Sequence, residues 1–137
     1  MAGTPRATVC GANEARARLG TAEAYLETAE LVLGEASRRE FSNVAAGLAV
    51  LAGVAASDAI CCVRLGRHHR GDDHRSATAM LEQATPDGKR LATTLARLLN
   101  VKDTAHYGVS LVDARTAGNA TRWARRLVER AREEVER

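Results

Sequence analysis

The sequence contains few aromatic residues, few prolines and few lysines. Its 137 residues include one Trp, two Tyr, one Phe and two Pro, whereas 45% are hydrophobic. Sheets favour aromatic and β-branched side chains, and the abundant Ala and Leu favour helices. Because the length is that of one domain, we expect a single all-α domain with one core.

Arginine nearly replaces lysine in this chain. Lys89 and Lys102 are the two lysines among 20 basic residues, and the formal net charge is +3. A basic balance favours nucleic-acid partners in general. However, the excess of Arg, Ala and Gly is typical of a GC-rich genome, and Arg and Glu interleave along the last predicted helix. Net charge alone therefore does not indicate a function.

The chain has three cysteines, of which Cys61 and Cys62 are adjacent within a predicted helix. Neighbouring helical side chains point in different directions, so no disulfide framework is expected. The cysteines are interpreted as small buried hydrophobic residues in a reducing cytosol. Residues 1–11 lack the apolar core of a signal peptide. These features predict a cytoplasmic protein.

Residues 44–63 are apolar over almost the length of a membrane span. The run is mostly small residues, contains Ser57 and Asp58, and ends in a cluster of Arg and His. We therefore expect the central core helix of a soluble protein, without membrane contact.

Apolar residues spaced by four and three predict a first helix with one buried seam. The seam comprises Ala15, Leu19, Ala22, Leu26, Ala29, Leu33 and Ala36. Asn13 is the expected N-cap, and the helix is expected to end between residues 36 and 40. A second helix is predicted from Ser42 to Leu65, with Gly66 ending it.

The remaining chain predicts three further helices. After a loop at residues 66–73, a short helix spans residues 74–84, and either Asp72 or Asp73 caps it. A fourth helix starts at Pro86 and ends near Tyr107, residues 108–112 form a packed connection, and Asp113 caps a helix that ends near Glu136. The expected architecture is an up-and-down antiparallel four-helix bundle with an extra short helix, comprising residues 13–137 after a disordered tail of residues 1–12.

Three passages resemble the HEPN family of small helical bundles, in particular its stand-alone actinobacterial members. They are residues 58–66 (DAICCVRLG), residues 71–74 (GDDH) and residues 98–108 (LLNVKDTAHYG). The resemblance implies a protein directed to RNA or a nucleotide. It also implies a homodimer, no cofactor, and either a metal-independent endoribonuclease or a noncatalytic binding or interaction module. One such module is the partner of a nucleotidyltransferase in a toxin–antitoxin pair.

The HEPN signature places catalytic roles on Lys102, Asp103 and His106. Lys stands where the family has Arg, and three residues separate it from the His instead of four to six. The resemblance implies that His106 transfers a proton, that Lys102 stabilises phosphate charge and that Asp103 positions a base. Because Lys102 and His106 are four residues apart, they share one helix face. In the alternative interpretation Lys102 only covers apolar surface, and His106 caps its own helix.

A basic cluster at residues 64–75 is the second candidate site. It could bind phosphate beside Lys102, or it could complement the C-terminal dipole of the second helix. Asp58 must meet a cation, a donor or water, because an unpaired carboxylate is costly to bury. Candidate partners of Asp58 are Arg64, Arg67, Lys102 and His106, with a purely structural role as the alternative. The predicted substrate-binding residues are Asp58, Arg64, Arg67, His69, His74 and Tyr107.

Two further motifs contain residues that could bind a metal ion or a base. His68, His69, Asp72, Asp73 and His74 include enough ligand types for a transition metal, but the three neighbouring arginines would repel a cation, so no metal site is predicted. Trp123 lies among arginines of the last helix. It could stack on a base or pack at a bundle or dimer interface.

Overall fold

The computed structural model describes residues 7–35, 37–107 and 110–137, without the side chain of Tyr107. Within these ranges the chain forms five helices and one two-stranded sheet. The helices are α1 (Ala12–Gly34), α2 (Arg39–Leu65), α3 (His74–Ala84), α4 (Gly88–Tyr107) and α5 (Ala114–Glu136), and the strands are β1 (Ala7–Val9) and β2 (Arg67–His69). The chain is therefore mostly helical, as predicted, and the small sheet is an addition.

Helix α2 contacts all four other helices and supplies much of the core. Its small residues bring the neighbouring helices close, and at Gly53 an added Cβ would lie 2.4 Å from a methyl carbon of Leu98. By length and composition α2 could cross a membrane, but 78% of its most apolar window is buried inside the protein. Such burial is typical of a core helix of a soluble protein.

The buried seam of α1 follows the predicted spacing. Ala15, Leu19, Ala22, Leu26 and Ala29 are buried, Leu33 is half-buried, and Ala36 lies outside the described residues. The helix ends at Gly34, where the N–H of Glu35 donates to carbonyls of the last turn. Helix α2 starts at Arg39 instead of Ser42 and has no side-chain cap, because Ser42 is buried inside the helix.

The turn between α3 and α4 requires glycine at position 88. A Cβ on Gly88 would lie 1.9 Å from the carbonyl oxygen of Glu82, so no side chain fits. Thr85 donates a hydrogen bond to Asp87 Oδ1 at 2.9 Å just before the turn closes. Helix α4 therefore begins two residues after the predicted start at Pro86.

Asp113 caps α5 as predicted, because its Oδ1 accepts the N–H of Thr116 at 2.8 Å. Hydrogen bonds from the backbone and the side chain of Thr116 lower the pKa of Asp113. In the connection predicted for residues 108–112, residues 108 and 109 lie outside the described residues. Val112 is buried, and its N–H donates to Asn43 Oδ1 at 3.1 Å.

The first described residues form a strand, so the predicted tail of residues 1–12 is wrong for residues 7–12. β1 pairs antiparallel with β2, with Ala7 opposite His69 and Val9 opposite Arg67. The N–H of Cys10 then donates to the carbonyl of Gly66 at 3.0 Å. Strands of three residues are too short to show an alternating pattern in the sequence. Residues 1–6 lie outside the described residues.

A disulfide bond joins Cys10 to Cys62, which contradicts the prediction that the cysteines remain free. Their Cα atoms are 5.3 Å apart. The directions of neighbouring helical side chains exclude a Cys61–Cys62 bond. They do not exclude a bond to Cys10, which a distant segment brings to α2. Cys61 is a free buried thiol, and its burial, followed by the charge of Asp58, raises its pKa to about 12. Cys61 is therefore an unreactive core residue.

We predict that Cys10→Ser lowers the free energy of unfolding by about 4 kcal/mol, because the bond closes a loop across a sequence separation of 52 residues. Urea unfolding followed by circular dichroism measures the change. Cys61→Ala is the matched control, since it keeps the disulfide and should cost about 1 kcal/mol. Equal losses in the two variants, or no effect of a reductant on the wild type, would contradict the prediction.

Candidate functional site

The residues between α2 and the first turn of α3, here called the basic segment (residues 66–75), carry three of the six predicted binding residues, namely Arg67, His69 and His74. Gly66 ends α2 with φ 70°, and Gly71 has φ 108°, a region that favours glycine. Asp73 then caps α3 by accepting the N–H of Arg75 at 3.1 Å. Two glycines and one cap therefore fix the path of this segment.

Three arginines of the basic segment are exposed. Arg67, Arg70 and Arg75 form no ion pair with any residue in the part of the chain that the structure describes. Guanidinium groups present several donors in a planar fork that matches a phosphate or carboxylate. The basic segment therefore carries three arginines without an ion-pair partner in the described chain, together with the carboxylates of Asp72 and Asp73.

Arg64, which was predicted to bind substrate, instead forms a structural ion pair. Its guanidinium donates two hydrogen bonds to Glu134, which is 1% exposed, and Arg130 also donates to Glu134 at 3.1 Å. These bonds, with that from Arg64 the largest, lower the pKa of Glu134. Because this buried carboxylate needs its cations, Arg64 is not available for a ligand.

Lys102 of α4 lies beside the basic segment. Its Nζ is 3.8 Å from Asp72 Oδ1, and the side chain of Asp72 is 99% exposed. An ion pair with one fully exposed partner contributes little to stability, and another anion can readily replace that partner. The structure therefore brings Lys102 into contact with the basic segment at Asp72.

Asp58 meets a cation that the sequence interpretation did not include. Arg18 of α1 donates from Nε and Nη2 to Asp58 Oδ2 at 3.1 and 2.8 Å, and His68 Nδ1 is 3.7 Å from Oδ1. The predicted partners Arg64, Arg67 and Lys102 form no ion pair with Asp58 within the described residues, and His106 lies against Gly47 instead. The prediction failed because it required knowing that α1 packs along α2, and the sequence does not specify which helices are neighbours.

Burial raises the pKa of Asp58 above its ordinary value, although Arg18 and His68 oppose this effect. Asp58 is 8% exposed, and the side chain of Arg18 is 35% exposed. The carboxylate thus lies at the inner end of a polar cluster that links α1, α2 and β2. His69 also lowers the pKa of Asp58 through its charge, though it is the smallest of the contributions.

His106 lies against the other half of α2. A Cβ on Gly47 would be 2.9 Å from His106 Nε2, so Gly47 provides the space that the imidazole occupies. Gly47 and Asp58 are eleven residues apart in one helix, a distance of about 16 Å along its axis. The expected pocket shared by His106 and Asp58 is therefore absent from the described structure.

The other predicted residues fall into three groups. His69 on β2 and His74 at the start of α3 are half-buried within the basic segment. Asp103 is exposed on α4, one residue after Lys102. The side chain of Tyr107 lies outside the described residues.

No group of three or more His, Cys, Asp or Glu residues in the described ranges is arranged to hold a metal ion. The polar cluster around Asp58 includes two histidines, but an arginine donates to its carboxylate. Arg18 therefore occupies the position where a cation would bind.

One residue of the site was missed from the sequence. Arg18 precedes the buried Leu19 on α1, so it looked like an ordinary surface charge, and a long-range contact gives it its role. Asp72 was considered only as a helix cap or a metal ligand, and its contact with Lys102 is likewise long-range.

The comparisons with known proteins add no family to this geometry. The sequence matches no protein-family model, and no curated protein is significantly similar to it. The HEPN resemblance therefore stays a prediction that rests on the three quoted passages.

We predict that Asp58→Asn changes the pH dependence of stability. Because the folded pKa of Asp58 is raised, the unfolded chain ionises first as pH increases above about 4. The wild type should then lose stability relative to Asp58→Asn as pH rises from about 4, until Asp58 also ionises in the folded protein, measured as thermal midpoints.

Asp113→Asn is a control of opposite sign for this experiment. The folded pKa of Asp113 is lowered, so its contribution is present above the unfolded pKa and is lost as pH falls. The wild type should therefore gain stability relative to Asp113→Asn as pH rises. A pH-independent difference between Asp58→Asn and the wild type would contradict the raised pKa.

Proposed function

We propose that this protein is an RNA-directed, HEPN-like protein that binds phosphate groups through the basic segment and Lys102. The observation that carries the proposal is the exposed group of Arg67, Arg70 and Arg75, none of which forms an ion pair within the described residues. Proteins gain affinity for nucleic acids chiefly by neutralising phosphates with such side chains.

The ion pair of Lys102 with Asp72 fits this role. Asp72 is almost fully exposed, so an incoming phosphate can replace it on Lys102 without uncovering a buried charge. A phosphate chain laid along the segment would therefore contact up to four basic side chains.

Metal-independent RNA cleavage is the second candidate function, and the arrangement of α4 favours it. Lys102 and His106 are one helical turn apart on the same face of α4, and both lie in its last two turns before Tyr107. In this proposal His106 takes the proton of a ribose 2′-hydroxyl or protonates the leaving oxygen, and Lys102 stabilises the phosphate. Asp58 takes no part, because it lies about 16 Å farther along α2 than Gly47.

The proposal includes an up-and-down antiparallel bundle as its framework. Gly53 approaches Leu98, whereas the earlier residue Gly47 approaches the later residue His106, so these contacts support opposite directions for α2 and α4. A homodimer and a nucleotidyltransferase partner are parts of the proposal that rest on the HEPN resemblance alone.

A cytoplasmic location also stays a proposal, and the disulfide bond is an argument against it. Disulfide bonds persist in oxidising compartments and are rare in a reducing cytosol. Acid trapping of thiols in cells, followed by alkylation of the denatured chain, would distinguish the two. One labelled thiol per chain would indicate an oxidised protein, since Cys61 is the remaining cysteine.

We predict that Arg67→Ala combined with Arg70→Ala weakens binding of a labelled RNA oligonucleotide at least tenfold in about 50 mM salt. Fluorescence anisotropy at several salt concentrations measures the affinity. For single-stranded RNA, the slope of log affinity against log salt should fall by about 1.4, since two phosphate contacts are lost.

Arg39→Ala combined with Arg115→Ala is the matched control, because it removes the same charge elsewhere. Both arginines are exposed and act together on the pKa of Asp113. Arg39 opens α2 and the basic segment follows its last residue, so the two sites are about 40 Å apart along that helix. Equal losses in the two double variants, or no RNA binding by the wild type, would contradict the proposed function.

Cleavage has its own prediction. In the presence of EDTA the wild type should cleave RNA, and His106→Gln should reduce the rate at least a hundredfold, because general acid–base catalysis contributes this much. Lys89→Ala, which removes the other lysine of the chain, should leave the rate unchanged. Intact RNA with the wild type, or equal rates for the wild type and His106→Gln, would exclude the endoribonuclease and leave the binding proposal standing.

A further inference from the structure

A pocket of about 420 Å³ lies between the strands and α3, on the far side of the basic segment from Asp58. Arg67 and Arg75 line it together with the polar side chains of Ser76 and Gln83. Met80, which is 5% exposed, forms its apolar part. Apolar pockets of this size with a few convergent polar groups are typical of small-molecule sites.

The helix positions explain how one pocket contains both kinds of side chain. Ala79 and Met80 lie three and four residues after Ser76, and Gln83 lies four and three residues after them, so the four residues share one face of α3. Arg75 begins this face at the first turn of the helix. The basic end of the pocket is therefore next to the basic segment, and the apolar end follows α3 away from it.

The N–H groups at the start of α3 are not the binding feature here. Asp73 already accepts the N–H groups of Arg75 and Ser76, and it also accepts the hydroxyl of Ser76 at 2.6 Å. These bonds, with that from the Ser76 hydroxyl the largest, lower the pKa of Asp73, so its charge is retained at that end. Asp73 does not line the pocket, so the guanidinium groups of Arg67 and Arg75 are the charged groups that a ligand in the pocket would meet.

The wall opposite α3 is fixed in place. Ala7 lines the pocket from β1, where it pairs with His69 of β2. Three residues later, the Cys10–Cys62 disulfide ties this strand to α2. A pocket whose walls are already held loses little entropy when a ligand binds.

We infer that this pocket binds a small organic anion that joins one acidic group to an apolar ring or chain. Arg67 and Arg75 would bind the acidic group, Met80 and Ala79 would contact the apolar part, and the Gln83 amide would meet a polar edge. This inference goes beyond the proposed RNA binding, since phosphates bound along the basic segment would not contact the apolar surface of α3.

The test uses 8-anilino-1-naphthalenesulfonate, which joins one sulfonate to apolar rings, and the oxidised full-length chain. Isothermal titration calorimetry and dye fluorescence should show one molecule bound per chain. Arg75→Ala and Arg67→Ala should each weaken binding at least fivefold, because each removes one donor group. Arg70→Ala is the matched control, since Arg70 is exposed on the same segment but does not line the pocket, and its effect should stay below twofold.

Two further arms exclude general apolar adsorption. N-phenyl-1-naphthylamine has the same rings without the sulfonate and should bind at least tenfold more weakly. Ala79→Trp and Gln83→Trp each place a large side chain at an exposed position of the pocket, and both should abolish dye binding while circular dichroism shows an intact fold.

The outcomes separate this inference from the RNA proposal. Dye binding that persists in both Trp variants, or equal affinity for the uncharged analogue, would overturn the pocket. RNA binding should be unchanged in Ala79→Trp, whereas the Arg67→Ala and Arg70→Ala double variant loses it. If the wild type binds no RNA but has a saturable dye site, the RNA proposal is excluded and the pocket is retained.

Discussion

The disulfide bond between Cys10 and Cys62 is the constraint on which the candidate site depends. An antiparallel pair of three-residue strands is not stable by itself, because it makes few hydrogen bonds and buries little surface. The covalent link holds the end of β1 against α2 just where the chain turns into β2. Since β2 carries Arg67, His68 and His69, the position of these side chains follows from the link.

The distribution of ion pairs then separates arginines with a structural partner from arginines without one. Arg64 neutralises the buried Glu134, and Arg18 neutralises the buried Asp58. Removing either would leave a buried carboxylate without its cation, which is why these contacts are fixed by the fold. Within the described chain no carboxylate forms an ion pair with Arg67, Arg70 or Arg75. Their exposed guanidinium groups are therefore available to an anion.

The sequence predicted the features that depend on local signals. The seam from Ala15 to Ala29 follows helical periodicity, and Asp73 and Asp113 cap α3 and α5 because an acidic side chain can accept the first N–H groups of a helix. A position of the basic cluster beside Lys102 was one of two alternatives, and Lys102 contacts Asp72 of that segment.

Features that depend on distant residues were not predictable in this way. The strand pairing of residues 7–9 with residues 67–69, the Cys10–Cys62 bond and the Arg18–Asp58 contact each join segments 40 or more residues apart. Periodicity shows which face of a helix is buried but not which helix covers it. For the same reason Asp58 was expected near His106. In the structure His106 contacts the first half of α2 at Gly47, whereas Asp58 belongs to the second half.

The most direct test is to map an RNA oligonucleotide on the protein by heteronuclear NMR, using backbone amides and arginine Nε–Hε signals. The account predicts that the largest shift changes occur at residues 67–75 and at Lys102, with little change at Arg39 or Arg115 on the surface near Asp113. Changes concentrated near Asp113, or no changes at the basic segment, would contradict the central claim that the uncompensated arginines of this segment form the anion-binding site.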